Sequence, residues 1–99
     1  MKKLLYVMLL ERTAIYKKMN KEAVVKHVEN IRYLDEAGKL ELCGVLQGLP
    51  GLSGMIVLRV DNYQEAEVLC KNEPLVTLGY VTYKLATLKV GNKENNYLL

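Results

Sequence analysis

The single histidine of the chain, His27, is the first residue whose type and position could support chemistry. Winding residues 21–37 as an α-helix at ~100° per residue places this histidine within an apolar stripe. The other members of the stripe are Ala23, Val24, Val28, Ile31 and Leu34. A buried imidazole needs hydrogen-bond partners. His27 is therefore either a core histidine bonded to a backbone carbonyl or a functional acid–base group.

Glu73 interrupts a second apolar stripe. It continues the apolar face of a helix predicted over residues 61–72, and it precedes Pro74. If both helices pack on the same side of a sheet, Glu73 and His27 can meet. A carboxylate beside an imidazole fixes its tautomer and stabilises its charged form, as a general acid–base pair requires. The alternative for Glu73 is a solvent-exposed helix end.

The surroundings of such a pair can be predicted only in outline. Gly44 opens a glycine-rich stretch, residues 44–54, that lacks the Gly-Lys-Ser/Thr ending of a phosphate-binding loop. This stretch is either a mobile hairpin connection or a wall over a pocket. Tyr6 and Tyr80 are interpreted as core residues or as lining of the same pocket. We take Tyr6, Gly44 and Tyr80 as candidate substrate-pocket residues.

The two cysteines, Cys43 and Cys70, lie in apolar segments and form no Cys-x-x-Cys motif. We predict that both are buried, reduced thiols. Together with one histidine at these spacings they make no recognisable zinc site. The sequence therefore predicts no metal and no organic cofactor.

Length and charge favour one folded domain over residues 1–99, with a net charge of +3. The basic residues are interspersed with acidic ones rather than gathered in a stripe, so we predict no nucleic-acid partner. Lys2 and Lys3 precede an apolar run that resembles the start of a signal peptide. The run leads directly into Glu11 without a small-x-small cleavage site, and it is too short to span a bilayer. We interpret it as a buried strand of a cytoplasmic protein.

Periodicity along the chain predicts a β-α-β-β-α-β order. The first helix has Asn20 as its N-cap and ends at Gly38, and the second begins at Asp61. The predicted segments are strands 3–10, 39–46, 54–60 and 79–90, helices 21–37 and 61–72, and a tail 91–99. This order is typical of a ferredoxin-like α+β fold, in which two helices cover one face of a four-stranded antiparallel sheet.

The predicted strands are apolar on both of their faces. Strand 3–10 alternates two sets of side chains, and both sets are apolar. Helices on one side leave the other face of the sheet uncovered, so we predict a homodimer with the sheets face to face. The apolar end of the tail, residues 97–99, either docks on the other subunit or frays.

These residues, in this order, resemble the YCII-related (YciI-like) family. The resemblance is carried by His27, the run Leu34-Asp35-Glu36-Ala37-Gly38-Lys39-Leu40, Gly44, Glu65-Ala66, Asn72-Glu73-Pro74-Leu75-Val76 and Gly79-Tyr80. It covers nearly the whole chain. It implies a ferredoxin-like fold that pairs into a dimeric α+β barrel, with a histidine–aspartate centre in a pocket. By position, His27 is the histidine and Glu73 takes the place of the aspartate.

The chain departs from the family pattern at several positions. Glutamate stands where the family has aspartate, Gly44-Val45 replaces a Gly-Pro pair, and Val24 replaces an arginine. The last strand ends in Lys89-Val90-Gly91 without the common proline. The resemblance implies a small-molecule enzyme that uses His27 and Glu73 for proton transfer in a lyase, isomerase or dehalogenase step. The alternative is a non-catalytic module of the same fold that binds a small ligand.

Overall fold

The computed structural model describes residues 4–99, which form four strands and three α-helices. In chain order these elements are β1 Leu4–Arg12, α1 Lys21–Glu36, β2 Leu40–Val45, β3 Leu52–Leu58, α2 Tyr63–Lys71, α3 Pro74–Thr77 and β4 Val81–Lys89. The predicted order is confirmed, with α3 as an additional element. The predicted start of the first strand, residue 3, lies outside the described residues.

The described strands form one antiparallel sheet in the order β2-β3-β1-β4. Long pairings of β1 with both β3 and β4 place β1 in the centre and leave β2 and β4 as the edges. Both longer helices pack on the same side of this sheet. This arrangement confirms the predicted ferredoxin-like α+β fold.

Helix ends follow the local chemistry of the chain. The side chain of Asn20 accepts a hydrogen bond from the Ala23 N–H at 2.9 Å, which confirms the predicted N-cap of α1. Gly38, at a φ of +74°, follows α1 in the left-handed region. The N-cap of α2 is Asn62 rather than Asp61, because the Asn62 side chain accepts the Glu65 N–H at 2.8 Å. Within residues 4–99, no helix is long and apolar enough to cross a membrane.

Glu73 does not extend α2, as the sequence pattern suggested, but begins α3. Pro74 disfavours helical dihedrals at the residue before it, and Glu73 has an extended φ/ψ of −64°/126°. Pro74 then occupies the first turn of α3, where its missing N–H costs no hydrogen bond. The break turns the chain, and it makes Glu73 the N-cap of a one-turn helix.

The helices pack on only one of the two faces of the sheet. The side chains under the helices form the core together with Ala23, Leu34, Ala66 and Cys70. Residues that alternate with them along the strands point to the opposite side, away from α1 and α2; there Leu5 and Val57 are buried, whereas Leu42 and Leu88 are exposed. We call this side the open face; by strand register it carries Leu5, Val7, Leu9, Leu42, Met55, Val57, Ala86 and Leu88.

The buried side of α1 is rotated from the predicted stripe. Ala23 and Leu34 are buried as expected, but Val24 and Val28 are each 43% exposed. His27 lies on the inward side as predicted, and Asn30 joins it there, since both side chains reach Glu73. The prediction of which residues face the sheet is therefore wrong for Val24 and Val28.

Candidate active site

His27 and Glu73 form a direct side-chain pair. The His27 Nδ1 atom lies 2.9 Å from Glu73 Oε1, across an interval of 46 residues. A carboxylate oxygen only accepts hydrogen bonds, so Nδ1 carries the hydrogen, and in the neutral imidazole Nε2 then presents the lone pair. The exposed-end interpretation of Glu73 is wrong, since this residue is only 1% exposed.

Three N–H groups surround the Glu73 carboxylate. Oε1 accepts from His27 and also from the Asn30 amide at 3.1 Å, while Oε2 accepts the Leu75 N–H at 2.7 Å. The Leu75 bond is the N-cap interaction of α3. Because one oxygen serves the helix and the other serves the imidazole, the carboxylate is fixed in position and orientation.

The second nitrogen of His27 faces solvent. The described residues offer Nε2 no hydrogen bond, and no buried side-chain nitrogen or oxygen in this part of the chain lacks a partner. Nε2 is therefore reachable from outside, and the His27 side chain as a whole is 24% exposed. An imidazole with one nitrogen held by a carboxylate and the other free is arranged for proton transfer.

A cavity of about 300 Å³ adjoins this histidine. Its wall is mainly aliphatic, and its polar side chains are those of Tyr16, His27, Cys43 and Ser53. The remaining lining comes from Leu10, Met19, Val24, Gly44, Val45, Gly54, Met55, Ile56 and Leu75. A concave apolar site with a few polar groups is the usual form of a small-molecule site.

The candidate pocket residues are placed differently from one another. Gly44 lines the cavity on β2. Tyr6 is absent from the lining, because its side chain is buried under the helices and its ring meets that of Tyr63 edge to face at 6.3 Å. Tyr80 is also absent from the lining and packs against the core. Both tyrosines are therefore core residues rather than lining of this cavity.

Two glycines shape the β2–β3 side of the cavity. A Cβ at Gly54 would lie 2.8 Å from the Gly44 carbonyl oxygen, so only glycine permits the two strands to approach this closely. A Cβ at Gly44 would meet nothing within 4 Å. Gly44 and Gly54 thus contribute backbone without side chains to the cavity wall, and residues 46–51 of the glycine-rich stretch do not line the cavity.

The cysteines fall in contrasting environments. Cys70 is fully buried, and burial, followed by the charges of Glu67 and Glu73, raises the pKa of its thiol to about 12. Cys43 is exposed on the edge strand β2, which corrects the prediction that it is buried. Within residues 4–99, no three His, Cys, Asp or Glu side chains are grouped so as to hold a metal ion.

Asn30 and Ser53 belong to the site but were not predicted from the sequence. Asn30 sits three residues after His27 on α1, a spacing that puts both on one side of a helix. This spacing is the sequence signal for Asn30, but the apolar stripe favours Val24 and Val28 as the inward-facing positions. Ser53 is buried at the edge of the glycine-rich stretch, where strand periodicity is interrupted.

A comparison with solved structures identifies a protein of the same fold. This is 5-chloro-2-hydroxyhydroquinone dehydrochlorinase (TftG) from Burkholderia phenoliruptrix AC1100, solved in complex with 2,5-dihydroxybenzoquinone. The match covers 93% of this chain and 98% of that one, with a TM-score of 0.61 and 11% sequence identity. At this identity the likeness establishes the fold alone. No protein-family profile and no curated protein sequence matches the chain.

Proposed function

We propose that this protein is a small-molecule enzyme of the YciI-like type in which His27 transfers a proton and Glu73 orients it. The observation that carries the proposal is the His27–Glu73 pair, with Nδ1 bonded to a buried carboxylate and Nε2 open beside a cavity. The shared fold with a dehydrochlorinase supports an enzyme of this general kind. The resemblance of the surrounding sequence to the YCII-related family points the same way.

In the proposed step, Nε2 removes a proton from the substrate while Nδ1–H remains bonded to Glu73. The imidazolium that forms lies against the carboxylate, so its positive charge is stabilised where it appears. The same nitrogen then returns the proton to carbon or to the departing group, or loses it to solvent. The chain's own residues thus supply one acid–base group and its orienting partner.

The proposed substrate is a single hydroxylated ring. An engineered apolar cavity of about 150 Å³ holds benzene, so about 300 Å³ accommodates one ring with substituents. Aliphatic side chains provide contact for the ring faces, while an ionisable hydroxyl suits a base at Nε2. The dihydroxybenzoquinone in the neighbouring structure belongs to this chemical class.

We also propose that the protein acts as a cytoplasmic homodimer. The open face presents adjacent aliphatic side chains across β2, β3, β1 and β4, and a second copy would cover them. Of these, Leu42 is 50% exposed and Leu88 is 43% exposed in the single chain. Both cysteines are free thiols, which fits a reducing compartment.

The first test combines imidazole NMR with a chloride-release assay on 5-chloro-2-hydroxyhydroquinone. With one histidine in an untagged chain, the imidazole nitrogens give unambiguous signals. We expect the Nδ1–H tautomer in the wild type and its loss in Glu73→Gln. Glutamine has a single side-chain oxygen, which cannot accept both from His27 and from the Leu75 N–H as the two carboxylate oxygens do. Glu29→Gln, an exposed position on α1, is the isosteric control.

The chloride assay separates catalysis from binding. Removal of the base in His27→Asn should lower chloride release by about a hundredfold or more, as expected for loss of general-base catalysis. Release that is unaffected by this substitution contradicts the proposed role of His27. A wild-type protein that binds the ring near His27 but releases no chloride, and changes no other hydroxylated ring, would favour the non-catalytic binding module.

A further inference from the structure

Ser53 occupies an irregular position in the central part of the sheet. The pairing of β1 with β3 runs from Leu10 opposite Gly54 to Glu11 opposite Leu52, so Ser53 has no partner residue on β1. This is a β-bulge, a device that redirects a side chain out of the regular alternation. The residue at this bulge, Ser53, belongs to the lining of the cavity.

The burial of this hydroxyl requires explanation. Among the described residues, Ser53 and Glu73 are the buried positions with polar or charged side chains, and Ser53 is 8% exposed. Glu73 accepts from three donors, whereas Ser53 Oγ makes one long hydrogen bond, 3.4 Å to the Leu10 carbonyl oxygen. A hydroxyl donates once and accepts twice, so both acceptor sites of Oγ lack a partner among the described residues.

The other polar groups of the cavity lining differ from Ser53 in being less buried. Tyr16 is half-buried with its ring beneath the Arg12 guanidinium at 5.5 Å, and Cys43 is exposed on β2. Among the lining residues with polar side chains, Ser53 is thus the buried one, and its hydroxyl has spare hydrogen-bonding capacity. A ligand that meets His27 with one oxygen has, in this hydroxyl, a partner for a second.

We infer that Ser53 is a specificity-determining residue that hydrogen-bonds a second oxygen of the ligand, so that the cavity selects rings with two oxygen substituents over rings with one. This inference rests on the proposed function, because it takes the cavity beside His27 as the binding site. The Ser53 Oγ lone pairs accept from a ligand hydroxyl, while the hydroxyl hydrogen stays on the Leu10 carbonyl. An apolar cavity alone would not make this distinction.

The test measures the affinities of phenol, resorcinol and hydroquinone by NMR titration under argon, with the His27 imidazole signals as the readout. In the wild type, at least one of the two diols should bind about three- to tenfold more tightly than phenol, as expected for one added hydrogen bond. Ser53→Ala should abolish this ratio and leave the affinity for phenol unchanged. Thr82→Val, which removes an exposed hydroxyl from β4, should retain the wild-type ratio.

The ratio of diol affinity to phenol affinity distinguishes a ligand-binding role of Ser53 from a purely structural one. If Ser53 only supports the Leu10 carbonyl, Ser53→Ala will weaken phenol and the diols equally, and the inference is overturned. A diol preference that survives in Ser53→Ala overturns it as well, while leaving the proposed role of His27 intact. If none of the three rings shifts the His27 signals, the proposed substrate class falls together with the inference.

Discussion

At the scale of single residues, the candidate site depends on one carboxylate that serves both the fold and the proposed chemistry. Glu73 Oε2 caps α3 and Oε1 holds His27 and Asn30. Each hydrogen bond to a charged group contributes on the order of 1.5–3 kcal/mol, so the three bonds together offset the cost of burying the carboxylate. Substitutions around Glu73 should therefore change stability and the imidazole together.

Asn30→Ala tests whether the third donor matters. The lost amide bond to Glu73 Oε1 should cost about 1.5–2 kcal/mol, offset by about 0.5 kcal/mol from the higher helix propensity of alanine. We expect the free energy of unfolding in urea to fall by about 1 kcal/mol. Glu29→Ala, at the adjacent exposed position, should change it by less than about 0.5 kcal/mol. Equal effects of the two substitutions would show that Asn30 does not support Glu73.

The two thiols should differ sharply in reactivity. Thiolate is the reactive form, and a pKa of about 12 keeps buried Cys70 protonated at pH 8, whereas Cys43 is exposed. Intact-mass measurement after iodoacetamide treatment should show one rapid adduct, absent in Cys43→Ser, and a second adduct only after unfolding. Rapid addition of two adducts to the folded chain would mean that Cys70 is not sealed in the core.

The raised pKa of Cys70 also predicts how the free energy of unfolding changes at high pH. The folded-state pKa of Cys70, about 12, exceeds its ordinary value of 9.0, so between these values the folded chain holds a proton that the unfolded chain has lost. The free energy of unfolding should therefore fall as pH rises from 9, with this one group contributing up to about 1 kcal/mol per pH unit. Urea unfolding at pH 8, 9 and 10 should show a shallower decline in Cys70→Ala. An unchanged slope would contradict the shift.

At the scale of elements, the sequence predicted most of the architecture because the strands are short apolar runs bounded by turn residues and both long helices carry an apolar stripe. It failed where tertiary contacts or local backbone geometry override that period. α1 turns toward Glu73 rather than presenting Val24 and Val28, and Pro74 breaks off α3 from α2. The His27–Glu73 contact was inferable from two interrupted stripes, whereas Ser53 depends on a bulge that no periodicity reveals.

The approach of β2 to β3 can be tested with a pair of glycine substitutions. Gly54→Ala would place a methyl group 2.8 Å from the Gly44 carbonyl oxygen, and relief of this clash requires the strands to separate. We expect a loss of about 1–3 kcal/mol in the free energy of unfolding, typical of overpacking. Gly44→Ala, whose Cβ meets nothing within 4 Å, should be neutral or slightly stabilising. The reverse order of effects would refute this account of the cavity wall.

At the scale of the whole molecule, the two faces of the sheet place the His27–Glu73 pair and the proposed dimer contact on opposite sides, while Gly44 and Met55, which belong to the open face by register, also line the cavity. Tyr6, Met8 and Leu10 of β1 point to the helices and the cavity, while Leu5 and Val7 point to the open face. Because strand residues alternate between faces, a substitution on the open face need not touch the cavity. Assembly can therefore be perturbed at Leu42, which does not belong to the lining, without touching the cavity.

Leu42→Lys tests the proposed dimer. Leu42 is 50% exposed on the open face, and in a face-to-face dimer two lysines would replace two buried leucines, which should raise the dissociation constant by about a hundredfold. Sedimentation at micromolar concentration should show twice the chain mass for the wild type and a shift toward the monomer for the variant. Val68→Lys, equally apolar and 56% exposed but on α2, should sediment as the wild type does. If the wild type sediments as a monomer, the proposed dimer is wrong. If both lysine variants dissociate, the dimer contact is not confined to the open face.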